Sequence, residues 1–470
     1  MKPLKNLEKS YEQLIDKYKA PGLIIALSEK DKKVYQIAKG YRDLEASLPI
    51  TDDTVLGLAS VTKSFTCCAI MHLQENQKLS VYDKVIDYLP EFRLHHENRI
   101  DQISIHHFMT HSSGFPPLFA LEYAIKRLNT DDPPVYTHVG ENQEQPILHT
   151  YEDLMDYIDE RKIQLYADPG KQFSYSNEAY SLLGAIIERV SGQSYESYVY
   201  DHIVKPAGMD HTRFTMKELD DYENKTISYG KTDENGEETI ITDPIWSTST
   251  SMQATGFLKS TANDMLKYAQ IYLNKGRVNG KEILSEQSVQ EMINPQMKVH
   301  RGQYYGYGLR IIPDYFGHTF IGHGGSLRSV SARFGIIPEK GLAGIVLANL
   351  IGFPASRLLD YVFNDYLGKD IAISIDYEAY DISSENLNLY AGEYKSDEGA
   401  HITLKKEDRK LKLINKGIEY STMFISQTEF FALLDGSKEF VEILLDENKS
   451  PYALLYSSRV VHKVSANSAY

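Results

Sequence analysis

Apolar positions at Leu4, Leu7, Tyr11, Leu14, Ile15 and Tyr18 recur with helical spacing and predict a helix over 3–18. GLIIALSEKDKKVYQIAKGY (22–41) reads as two strands around a polar turn. ASVTKSFTCCAI (59–70) opens a helix, running to about Lys78, that is apolar on nearly every side. Residues 83–165 read as helical, punctuated by THSSGFPP (110–117) and the loop-like DDPPVYTHVGENQEQP (131–146). A turn and an apolar helix ending near Gly192 follow in 168–192, then strand-like pieces over 210–250 and helices around 261–275 and 285–293. From Tyr304 the chain turns strand-rich, and a last helix covers about 353–367. Early strands, a helical middle and late strands predict one sheet with a helical insertion. After a break near 370–388, short apolar runs alternate with polar turns, the pattern of a small antiparallel barrel.

A chain of 470 residues is too long for one ordinary core. We therefore expect two domains, 1–375 and 385–470. The net charge of −15 argues against nucleic-acid binding, which needs a basic stripe. No window approaches 18 uninterrupted apolar residues, so no membrane span is expected, and the N-terminus carries no apolar signal region. A cytoplasmic setting is the default, and an extracellular one holds if a leader has been removed. The two cysteines, Cys67 and Cys68, are helix neighbours that cannot bridge each other and read as small buried residues.

Chemistry first suggests itself at Ser60 and Lys63. On a helix, i and i+3 share a face, so the lysine can reach the serine hydroxyl. A helix N-terminus there would favour a developing oxyanion. To act as a base near neutral pH, a lysine must drop by roughly 3 pKa units, about 4 kcal/mol against the ammonium form, and burial works in that direction. Ser228-Tyr229-Gly230-Lys231 repeats the pattern in a polar, turn-rich segment and reads as an ordinary surface stretch.

A second candidate is Tyr175-Ser176-Asn177, on a turn before an apolar helix, where functional side chains can converge. Tyr222-Glu223-Asn224 and Tyr272-Leu273-Asn274 match the same pattern in less suitable contexts. The third is His323-Gly324-Gly325-Ser326, where glycines within a strand permit close approach and the histidine could donate to a substrate or help move a proton. Its rival, His138-Val139-Gly140, falls in a loop-like segment. His95, His96, His106, His107 and His111 cluster in sequence, but their spacing is not that of a zinc-protease motif and no metal is expected. No Gly-rich phosphate loop is present, and no cofactor is expected.

In this order, SVTK, YSN and HGG resemble the S-x-x-K, Y-x-N and Lys/His-x-Gly motifs of the serine β-lactamase and D-alanyl-D-alanine peptidase superfamily. The likeness is to its class C-like branch of serine hydrolases, esterases and D-aminopeptidases. The flanks SVYDKVIDYLPEF, ISIHHFMTHSSGFP, PAGMDHT, STANDM and YGYGL look similar too, and the likeness covers roughly 8–365. It implies an α+β fold, an antiparallel sheet flanked by helices plus a helical subdomain, with the active site at their boundary. Ser60 would form an acyl-enzyme, with Lys63 and Tyr175 sharing general-base work and Tyr175 protonating the leaving group. Asn177 would bind substrate, and the backbone N–H groups of Ser60 and Ser326 would form the oxyanion hole.

His323 stands where many β-lactamases and penicillin-binding proteins have a lysine that helps bind the substrate carboxylate. Histidine there is similar to the family's esterases and aminopeptidases. The tail from about Glu385, with LYAGEYKS, looks like the lipocalin-like barrel of some relatives. The resemblance implies a hydrolase of a small amide, peptide (D-residues included) or ester. The alternatives are a β-lactamase and a penicillin-recognising, non-catalytic binding protein. A homo-oligomer is compatible with either.

Overall fold

The computed structural model describes residues 7–94, 97–125, 148–234, 237–243, 246, 248–327, 330–375, 377–434 and 437–464. His95, His96, the segment 131–146 and its His138 lie outside the described residues.

One antiparallel nine-stranded sheet organises the larger part of the chain. Its spatial order is Met297–His300, Gln303–Tyr305, Arg310–Ile312, Phe320–Leu327, Val330–Ile337, Leu342–Ala348, Gly22–Glu29, Lys32–Asp43 and Leu48–Pro49. The expected union of early and late strands is made at Gly22–Glu29, which pairs with Leu342–Ala348 on one side and Lys32–Asp43 on the other. That strand is buried on both faces, and its period of two divides it. Ile24 and Ala26 enter the main core with the helix Thr62–Glu75, while Leu23, Ile25 and Leu27 pack with Leu7, Tyr11 and Leu358 from the first and last helices of this part.

The helical middle is more broken than its pattern predicts. Within 83–165 the described helices are short: Val85–Tyr88, Ile105–Met109, Ala120–Ala124 and Tyr151–Glu160, with a 3-10 turn at Ile100–Gln102. Pro90, Pro116 and Pro117 interrupt the periodicity, and the buried apolar side chains serve short segments wrapped on a common core. The long helix Asn177–Ser191 matches its prediction. Ser176 caps its N-terminus and Gly192, at φ 71°, ends it in the left-handed region.

Beyond the sheet, the helix Ser384–Tyr390 leads into a closed barrel of eight antiparallel strands, from Gly392–Lys395 to Arg459–Lys463. The barrel has its own core, with Leu387, Tyr394, Leu413, Phe430 and Leu454. A separate apolar cluster joins the two parts: Phe173, Tyr175, Val299 and Tyr305 pack on Leu444, Ala453, Leu455 and Val460. The α+β fold with a small all-β barrel is therefore the architecture of the chain.

Candidate active site

Ser60 lies in a 3-10 turn, Ala59–Val61, that runs directly into the helix Thr62–Glu75; the sequence places it on the helix itself. Ala59 is held at φ 46°, a left-handed conformation costing a non-glycine residue roughly 1–2 kcal/mol. Two glycines hold this turn closely. A Cβ at Gly325 would stand 2.2 Å from the Leu58 carbonyl oxygen, and one at Gly256 would stand 3.4 Å from the Ala59 carbonyl carbon. Only a glycine at 325 lets the strand Phe320–Leu327 lie against the turn that carries the serine.

Lys63 is fully buried, and its Nζ is 3.2 Å from Ser60 Oγ, 2.9 Å from Asn177 Oδ1 and 2.7 Å from the Thr255 carbonyl oxygen. Burial holds its pKa well below the ordinary lysine range, and the Arg459 guanidinium pushes the same way, against Glu178. As a free amine it has two N–H bonds and one lone pair. The two carbonyl oxygens accept the N–H bonds, and the lone pair is left for the Ser60 hydroxyl.

Tyr175 is 7% exposed and its hydroxyl shares a hydrogen bond with Ser60. Burial pushes its pKa up to about 12, against the Ser60 bond and the fields of Arg459 and Arg310, so it carries its proton at neutral pH. His111 supports this segment. Its Nδ1 accepts from the Ser176 N–H at 3.1 Å and its ring lies 4.1 Å from that of Tyr175. His107 accepts the Ser104 N–H at the start of its own short helix. Both histidines are thus engaged in local structure, and among the described residues no cluster suited to a metal is found.

His323 is buried, with Nε2 2.9 Å from the Tyr305 hydroxyl and Nδ1 2.5 Å from the Gly324 carbonyl oxygen. A carbonyl only accepts, so Nδ1 carries the proton and Nε2 accepts from Tyr305. Burial, with the Arg310 guanidinium pushing the same way, keeps the ring neutral. Its ring centroid is 6.2 Å from that of Tyr175.

A cavity of about 590 Å³ opens over these groups, lined by Ser60, Tyr175, His323, Gly324, Gly325 and Ser326 among others. All three sequence motifs thus converge. Asn177 meets Lys63 below the cavity floor, one residue into the helix that Ser176 caps.

Several residues near Ser60 and Tyr175 had no signal in the sequence. Thr255 acts through a backbone carbonyl, which any residue provides. Arg310 and Arg459 come from a sheet strand and from the barrel. The turn of the barrel hairpin, just before Arg459, enters the site: Ser458 accepts the Tyr175 N–H at 2.9 Å through its carbonyl, and the Arg310 guanidinium at 2.6 Å through Oγ. The Arg459 guanidinium lies 5.2 Å from the Tyr175 ring centre and pairs with Glu398.

The sequence profile of the beta-lactamase family matches residues 7–365, well over half of the chain. The chain belongs to the beta-lactamase family. Penicillin-binding protein 4* of Bacillus subtilis (strain 168) is 25% identical over 310 residues, covering 65% of this chain and 62% of its own length. This family member thus spans less than two thirds of that relative. Protein flp of Staphylococcus aureus (strain MW2) is 24% identical over 386 residues, 82% of this chain and 69% of its own. Among solved structures, the octameric penicillin-binding protein homologue from Pyrococcus abyssi superposes with a TM-score of 0.69 at 28% identity, covering 98% of this chain and 100% of that one. SurE with D-Leu gives 0.67 at 18% identity over 98% and 99%, a likeness of fold. The match to both solved chains runs through the barrel.

Proposed function

We propose that this family member is a serine hydrolase that works through an acyl-enzyme on Ser60, acting on a small amide, a peptide (D-residues included) or an ester. The observation that carries the reading is the buried Lys63 Nζ, within hydrogen-bond reach of Ser60 Oγ, Asn177 Oδ1 and the Thr255 carbonyl oxygen; with those two carbonyl oxygens accepting its N–H bonds, an unprotonated amine has its lone pair left for Ser60. In acylation, Ser60 Oγ bonds to the acyl carbon while its proton passes to Lys63 Nζ. The tetrahedral oxyanion faces the backbone N–H groups of Ser60 and Ser326. As the bond to the leaving nitrogen or oxygen breaks, Tyr175 gives that atom a proton and recovers one from Lys63. Water then attacks the acyl carbon by the same route in reverse, releasing the acid and restoring Ser60.

A neutral His323, bonded at both nitrogens, offers a substrate no charge of its own, unlike a lysine at that position. Assembly into several copies belongs to the same reading, on the full-length match to the octameric Pyrococcus abyssi homologue. The experiment is labelling with a serine-reactive aryl phosphonate followed by peptide mass mapping. An adduct on Ser60 is expected, absent in Ser60→Ala and strongly reduced in Lys63→Ala. An adduct on another serine would overturn the assignment.

A further inference from the structure

A second cavity, of about 810 Å³, lies over the seam of the barrel and shares none of its described lining residues with the cavity over Ser60. Its walls come from both parts of the chain. One wall is the stretch 161–166, which follows the helix Tyr151–Glu160. The other is formed by the ends of the barrel strands Gly392–Lys395 and Arg459–Lys463 and the residues just beyond them. These two strands close the barrel, with Tyr394 opposite Lys463 and Lys395 opposite His462.

The chain as a whole is acidic, at −15, yet Arg161, Lys162, Lys395 and Lys463 line this cavity. Asp397 is the one carboxylate among its described lining residues. A concave surface of one charge sign focuses its field on whatever enters. Little neutralises these cations. Among the described residues no carboxylate pairs with Arg161, Lys162 or Lys463: the Arg161 guanidinium lies 4.8 Å from the Tyr157 ring centre, and Lys463 Nζ donates to the Leu389 carbonyl at 2.6 Å. Lys395 is 3.7 Å from Glu393, a pair about half exposed on each side and therefore weak.

The cavity also holds an unmet polar atom. His462 Nε2 is enclosed and has no hydrogen-bond partner among the described residues, and the ring meets Tyr166 edge-on with centroids 4.1 Å apart. A neutral imidazole that carries its proton on Nε2 needs an acceptor there, and an enclosed donor without one is costly. Lysine ammonium groups are point charges suited to the compact charge of phosphate, and an arginine adds paired N–H donors. A single negative charge would leave most of the four cations unanswered.

We propose that the cavity walled by Arg161, Lys162, Lys395, His462 and Lys463 binds a phosphate-bearing ligand with two or more negative charges, which bridges the larger part of the chain and the barrel. The site is separate from the Ser60 cavity and does not depend on what Ser60 attacks.

The test is titration calorimetry of the full chain with inorganic pyrophosphate, at about 50 mM salt and with a chelator present to exclude metal bridging. One saturable site per chain is expected. A hundredfold excess over Kd should raise the melting temperature by about 2–3 °C, because the ligand binds only where both walls are folded. Lys162 and Lys395 are exposed, so the double variant Lys162→Glu, Lys395→Glu should fold, label at Ser60 like the parent and bind at least about tenfold more weakly. His462→Phe, which keeps the ring but removes the donor, should weaken binding about threefold or more, and Asp397→Asn should tighten it. Citrate should bind more weakly than pyrophosphate, and pyrophosphate at saturation should leave Ser60 labelling of the parent unchanged. Absent or non-saturating binding, equal affinity in the parent and the double variant, or citrate binding as tightly as pyrophosphate would overturn the proposal. Protection of Ser60 by pyrophosphate would overturn it as well, by putting the anion among the arginines of the other cavity.

Discussion

Glu178 follows the Y-x-N asparagine and is 1% exposed, with one carboxyl oxygen accepting from Ser176 Oγ at 3.0 Å and the other enclosed with no hydrogen-bond partner among the described residues. Burial raises its pKa from 4.5 to about 7. Its folded-state pKa lies above the unfolded one, so its favourable contribution is full below pH 4.5 and is lost as pH rises through 7. Glu178→Gln, which stays neutral, should therefore be no more stable than the parent at pH 4.5. It should gain on the parent towards pH 8, by an amount on the order of 3 kcal/mol at most. Thermal midpoints across that range check it, and a gap that narrows with rising pH contradicts it. Of the residues that meet here, Ser60, Lys63, Tyr175, Asn177 and His323 were legible because each lies in a short motif whose spacing implies its chemistry. Glu178 could have been suspected only as a charge inside an apolar helix. Arg459 could not, since nothing local marks a residue that reaches the site from the barrel.

At the scale of elements, the site depends on how closely the strand Phe320–Leu327 approaches the turn Ala59–Val61. Gly325→Ala would put a methyl group into the Leu58 carbonyl, which is backbone and cannot swing aside. The variant should lose roughly 1–3 kcal/mol of stability and, by displacing Ser60, most of its acylation rate. Denaturant unfolding and phosphonate labelling measure the two effects, and a variant that labels at the parental rate would show that this contact does not position the nucleophile. The sheet was readable because Gly22–Leu27 is one buried run and its partners near the other end are equally apolar. The helical middle was overread. Apolar periodicity continued through 83–165, but prolines and cap residues such as Ser104 and Thr150 divide it into short helices.

For the whole molecule, we propose 1–375 and 385–470 as the two units, with the barrel supplying part of the catalytic wall. Phe173, Tyr175, Val299 and Tyr305 lose their apolar partners if the barrel is removed, and Tyr175 loses the acceptor of its N–H. A chain ending near residue 380 should therefore melt at least about 5 °C lower. It should also label at Ser60 about tenfold more slowly, because its proton-carrying groups become wet. An unchanged melting temperature and rate would mean that the barrel is only appended.

The central claim is that an unprotonated Lys63 activates Ser60, and the rate of phosphonate labelling at Ser60 as a function of pH tests it most directly. Burial holds Lys63 well below the ordinary lysine value of 10.5, the direction that a free amine requires. The rate should rise with pH through an acidic limb and be level across neutrality, and Lys63→Ala should abolish the limb. A rate that keeps climbing about tenfold per pH unit up to an ordinary lysine pKa would contradict the claim.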